Sequence, residues 1–140
     1  MRSRIGVLVI VIAILFSGAG CCNVPRDETG KRLPRSAPPA PRVVAPKDKD
    51  VVACAPTVAF GWKIVPDPDG IVEYQVEVER APLGVEWEPL DGSPWTGVTV
   101  TALAIDARCG YYYRWRVRAV DGAGNVGPFT DWFTFNMPEE

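Results

Sequence analysis

Histidine is absent from the 140 residues. Without imidazole the chain lacks the commonest general base, most zinc sites, and the Ser/His and Cys/His pairs that make nucleophiles. A glycine-rich phosphate loop and an EF-hand spacing are missing as well. So is a helical period: fourteen prolines and thirteen glycines point to turns and linkers instead. Excess charge is small, a formal −2, but it is unevenly placed. Residues 23–46 carry five basic against two acidic side chains, and residues 47–140 carry eight against fifteen, a net of −7. A domain of that sign repels phosphate, which excludes nucleic acid as a partner. No catalytic residue, cofactor or metal is expected. A glycosidase would need two facing carboxylates in a groove, and nothing in the sequence places them.

What is present centres on residues 110–125, GYYYRWRVRAVDGAGN. Tyr111, Tyr113, Trp115, Val117 and Ala119 alternate with Tyr112, Arg114, Arg116 and Arg118, the period of a strand with one apolar and one basic face. Asp121, Gly122, Gly124 and Asn125 then supply a turn. Val72, Tyr74, Val76 and Val78 alternate as cleanly with Glu73, Gln75, Glu77 and Glu79. Val58, Phe60 and Trp62 predict an earlier strand, and the turn residues Asp67, Pro68, Asp69 and Gly70 follow it. Shorter strands are predicted around Val85 and Trp87, around Val98 and Val100, and at Trp132 to Phe135; the pattern blurs between Ala102 and Ile105. Six or seven short strands indicate an all-β sandwich, with 47% apolar residues enough for one small domain and a tether.

The first four residues are basic in character, residues 5–16 form an unbroken apolar run, and residues 17–20 are small. This is the plan of a signal peptide over residues 1–22. Cys21 directly after Gly-Ala-Gly resembles the lipobox of bacterial lipoproteins, whose cysteine is acylated. Gly18 stands where that family usually has leucine, and Cys22 follows. The resemblance implies lipidation at Cys21; an uncleaved anchor or simple cleavage and secretion are the alternatives. Residues 23–46 contain six prolines among charged and small residues, and are expected to be a solvated, basic linker. Residues 47–140 are assigned to the sandwich.

Trp62, the Tyr113-x-Trp115-x-Val117-x-Ala119 run, the Asp121-x-Ala123-Gly124-Asn125 turn and the aromatic closing strand resemble a fibronectin type III domain. The resemblance covers about residues 43–136. In that family's strand order the second and sixth strands start at one pole, which brings Cys54 and Cys109 together and implies a disulfide in an oxidising compartment. The same order brings Glu79 toward Arg114 and Glu73 toward Arg118 as cross-strand ion pairs. Asp67 and Asp69 are expected to meet Asp121 and Asn125 at the opposite pole, where calcium and ordinary turn chemistry are competing readings. Trp62 and Trp115 are expected in the core. Trp87 and Trp95, flanking a short edge region, are the candidate binding surface, with inward packing as the alternative for Trp87.

These readings predict a non-catalytic envelope lipoprotein, extracytoplasmic and membrane-anchored through Cys21, at the outer membrane or cell surface. Its domain would bind or scaffold an envelope protein or polysaccharide. The alternatives are an accessory docking subunit of an envelope enzyme or secretion complex, and a carbohydrate-binding module. An apolar patch around the two indoles favours docking, and a polar ring around one indole favours sugar.

Overall fold

The computed structural model describes residues 36–83 and 85–139. The signal segment, Cys21 and Cys22 lie outside the described residues. Nine strand segments follow one another: β1 Val43–Ala45, β2 Asp50–Val51, β3 Thr57–Trp62, β4 Ile71–Pro82, β5 Glu88–Pro89, β6 Trp95–Val98, β7 Ala102–Asp106, β8 Tyr111–Asp121 and β9 Phe133–Met137. They form two sheets, one in the order β1-β3-β7 and the other in the order β2-β9-β8-β4-β5, with β6 also paired to β4. Neighbouring strands are antiparallel except β2 and β9, which are parallel.

The two alternating stretches become the central pair. β4 and β8 run antiparallel from Ile71 opposite Asp121 to Pro82 opposite Tyr111. Their apolar faces turn inward: Tyr74, Val76, Val78, Tyr113, Trp115, Val117 and Ala119 are all buried. Val58, Phe60 and Trp62 of β3 and Ile105 of β7 close the core from the other sheet. Phe60 meets Trp115 edge-on at 4.8 Å and Phe135 at 5.9 Å, so aromatic contacts join the layers at their centre. Trp115 Nε1 donates to the Pro46 carbonyl at 3.0 Å. Trp62 Nε1 is buried with no hydrogen-bond partner among the described residues.

Four features differ from the sequence expectation. Val72 does not continue the inward face. A bulge between Ile71 and Glu73 adds one residue to β4, turns Val72 out to 53% exposure, and lets Ile71 pack on the core instead. The blurred stretch is a real strand, β7, whose outward residues Ala102 and Ala104 are small and apolar, so no hydrophobic–polar alternation marks it. Val85 and Val100 lie outside strands at 60% and 61% exposure, because β5 and β6 are short and begin or end elsewhere.

The fourth correction concerns the linker. The folded unit does not begin at residue 47: β1 pairs with β3, and Pro38, Pro41 and Pro46 are buried, while residues 23–35 of the expected linker lie outside the described residues. Proline-rich composition suggested a solvated spacer, but these prolines lie as a strap on the sandwich. A Cβ at Gly127 would collide with the Pro38 carbonyl oxygen, which shows how closely the strap lies on the β8–β9 connection.

Candidate functional site

Cys54 precedes β3 and Cys109 precedes β8, and the two form a disulfide with Cα atoms 5.3 Å apart across a separation of 55 residues. They mark one pole. Tyr113 fixes the same end, since its hydroxyl accepts from Arg108 N–H at 2.8 Å and donates to the Arg108 carbonyl at 2.9 Å.

At the opposite pole the loops after β3 and β8 are locked together. Gly122 N–H donates to the Gly70 carbonyl at 2.8 Å, and a Cβ at Gly122 would stand 2.6 Å from the Asp69 carbonyl oxygen. The carboxylates of Asp67, Asp69 and Asp121 come within 4.8 Å of one another. The hydrogen bonds of the Asp67 and Asp121 carboxylates are those of turn-makers. Asp67 Oδ1 accepts from Asp69 N–H at 2.9 Å, while Asp121 accepts from Ala123 N–H at 2.9 Å, from Asn125 N–H at 2.8 Å and from Asn125 Nδ2 at 2.8 Å. Burial by itself raises the Asp121 pKa. The bonds from the Asn125 side chain and from the backbone of Asn125, Ala123 and Gly124 outweigh it and hold the carboxyl below its ordinary value of 3.8.

The basic face of β8 is covered rather than open. Glu79 accepts from Arg114 Nε at 2.6 Å, Glu77 accepts from Arg116 Nε at 2.6 Å, and Gln75 accepts from Arg118 Nε at 2.8 Å. The pairing expected between Glu73 and Arg118 is absent. The unbroken ladder that sets Glu79 opposite Arg114 also sets Gln75 opposite Arg118, and Glu73 instead accepts from Gln75 Nε2 at 2.7 Å. Aromatic rings alternate with the guanidinium groups: Arg114 lies between Trp87 and Trp132 at 4.7 and 4.6 Å, Arg116 between Trp132 and Phe129 at 4.4 and 4.3 Å, and Arg118 on Phe129 at 4.4 Å. Trp87 is therefore the first ring of an internal ladder on the outer face.

Trp95 stands elsewhere. It opens β6, packs against the core, and forms one wall of a cleft of about 490 Å³ between the β5–β6 edge and β7. The structure thus separates Trp87 and Trp95, which do not form one platform. Leu90, Ile105, Arg80, Asp91, Asp106 and Arg108 complete most of the cleft's lining. Arg80 is held by Glu88 at 3.1 Å and lies 5.4 Å from the centre of the Tyr111 ring. Gly92, at φ 89°, brings its backbone against the indole; a Cβ there would sit 3.3 Å from Trp95 Cζ2. The sequence reading missed these polar neighbours. One signal was present: Arg80 continues the inward register of Tyr74, Val76 and Val78, where a cation has to reach an edge or a partner.

No family model matches the chain, and none of the curated proteins matches it. Among solved structures, the twitchin kinase region of C. elegans is similar at a TM-score of 0.51 and 20% identity, over 74% of this chain. The match spans only 17% of that larger protein structure. A human fourth FNIII domain is similar at 0.45 and 20% identity, covering 77% of this chain and 82% of that one. The PKD domain of an M14-like peptidase from a Thermoplasmatales archaeon is similar at 0.44 and 15%, covering 76% of this chain and 100% of that one. The likeness is one of fold: the described domain is a fibronectin type III-like β-sandwich.

Proposed function

We propose that this chain is a non-catalytic envelope lipoprotein, anchored through Cys21 on the far side of the cytoplasmic membrane, whose sandwich binds a partner at the Trp95 cleft. The observation that carries the reading is the cleft itself: one half-buried indole with Leu90 and Ile105 beside it, framed by Arg80, Asp91, Asp106 and Arg108. An apolar surface with a few convergent polar groups is what a recognition site needs. Its placement fits a tethered module. β1 pairs with the end of β3, so the strap enters at the acidic pole, whereas Asp106, Ala107 and Arg108 put the cleft beside the disulfide pole. Anchoring at one end leaves the other free to meet a partner.

The test is capture from the organism's envelope with the full chain, using Trp95→Ala as the control and Trp87→Ala as the comparison. Loss of the captured partner with Trp95→Ala, and its retention with Trp87→Ala, is expected. Equal recovery by all three proteins would remove the cleft as the site. The anchor is tested separately: Cys21→Ser should move the protein from the membrane to the soluble extracytoplasmic fraction. A second reading, a polysaccharide-binding module, is favoured by the polar ring around a single indole.

A further inference from the structure

β7 has a hydrogen-bonded neighbour on one side alone, β3. Trp62 N–H donates to the Thr101 carbonyl at 3.1 Å, and Ala107 N–H donates to the Pro56 carbonyl at 2.9 Å. Residues 101 and 107 therefore turn their peptide groups toward β3, and so do 103 and 105 between them, because peptide groups alternate in direction along an antiparallel strand. By the same alternation the N–H and C=O groups of Ala102, Ala104 and Asp106 point to the open side. Among the described residues no backbone group pairs with them. Protein edges are usually blunted by lysine, proline, a bulge or a covering segment. The β7 sequence ALAID has none of these, and carries a charge only at its last residue.

This open edge borders the Trp95 cleft, whose lining includes Ala104, Ile105, Asp106 and Ala107. Resting on the reading of that cleft as the binding site, we propose that β7 accepts an extended polypeptide segment of a partner protein as a fourth strand on the β1-β3-β7 sheet. The segment's inward side chains enter the cleft against Trp95, Leu90 and Ile105. Three occupants compete, and the geometry separates them. A sugar stacks on the indole but leaves a row of strand-spaced amides unpaired. A second copy joined β7 to β7 satisfies the amides but leaves the cleft unfilled, because the inward side chains Leu103 and Ile105 of the incoming strand are held in that copy's own core. A free extended segment satisfies both features, with main-chain bonds giving affinity and alternate side chains giving specificity. Its inward residues are apolar. An outward residue beside Asp106 is basic, since opposite charges on adjacent strands attract.

The test uses the oxidised full chain and an end-blocked octapeptide of alternating valine and lysine, followed by amide hydrogen exchange and tryptophan fluorescence. Binding should slow exchange at Ala102, Ala104 and Asp106. Ala104→Pro removes an outward N–H and no bond to β3, so it should weaken binding by about tenfold while leaving the melting temperature nearly unchanged. Trp95→Ala should weaken binding as well. If Ala104→Pro does not fold, peptides methylated on alternate amides replace it: methylation facing β7 should abolish binding, and methylation on the other edge should not. Equal binding by Ala104→Pro or by both methylated peptides would overturn strand addition. So would protection of the three amides that rises with protein concentration alone, which marks a second copy. If the peptide fails while cellohexaose quenches fluorescence in a Trp95-dependent way, strand addition falls and the Trp95 site stands. If no ligand and no envelope partner responds to Trp95→Ala, both fall.

Discussion

At the scale of single residues, two buried tryptophans differ in one hydrogen bond. Trp115 Nε1 reaches the Pro46 carbonyl, and Trp62 Nε1 has no partner among the described residues. Phenylalanine at either site loses packing, but at 62 it also removes an unsatisfied donor, whereas at 115 it strands a buried acceptor. Trp115→Phe should therefore cost about 3 kcal/mol and Trp62→Phe about 1 kcal/mol, read from urea unfolding. Asp121 gives the pH dependence. Its folded-state pKa lies below the unfolded value, so its contribution is complete above about pH 4 and is lost as pH falls through the lower, folded value. The urea midpoint should fall with acid in the wild type, and Asp121→Asn should flatten that fall; equal slopes would remove Asp121 as the cause. Core residues of this kind were legible in the chain, since Trp62, Trp115 and Tyr113 sit on clean alternations. Which tryptophan finds an acceptor was not, because that acceptor is on Pro46, 69 residues away.

At the scale of elements, the outer face of β4 and β8 is a ladder in which each arginine is fixed by both a strand partner and a ring. Glu77 and Arg116 are the middle rung, 27% and 31% exposed. Reversing Glu77 to lysine should cost about 1 kcal/mol, whereas Glu73→Lys should cost less, because Glu73 touches Gln75 and no arginine. Thermal melts of the two variants check the order, and a larger loss at Glu73 would contradict the observed register. The sequence carried the strands and two of the faces here, but not the bulge. With Glu79 opposite Arg114, an unbroken antiparallel ladder puts Gln75 and not Glu73 opposite Arg118; the extra residue at Val72 lies beyond that pair, and nothing in an alternation announces where a strand will bulge. β7 was hidden for a different reason: alanine on its outer face erased the contrast on which periodicity depends. The Trp95 cleft was half legible. Trp95 itself was marked, but Asp91, Asp106 and Arg108 belong to separate loops and edges that only the fold brings together.

At the scale of the whole described unit, the disulfide ties the entry of β3 to the entry of β8 and so joins the two sheets at one pole. On chain-entropy grounds a closed loop of 55 residues contributes about 4 kcal/mol to stability, a large part of what a small domain has. The strap and β9 give this cross-link a mechanical meaning. The strap joins at the acidic pole and β9 ends beside the disulfide pole, so a pull applied through these two segments loads the sandwich along its strands. Under such a load the loop closed by Cys54 and Cys109, a separation of 55 residues, cannot pay out, and the oxidised domain unfolds to a short extension. Reduction should lengthen the single-molecule unfolding step by roughly 200 Å, at about 3.6 Å for each released residue. In force terms the cross-link is an extension limiter: it decides how far the cleft can travel from the strap when the domain gives way.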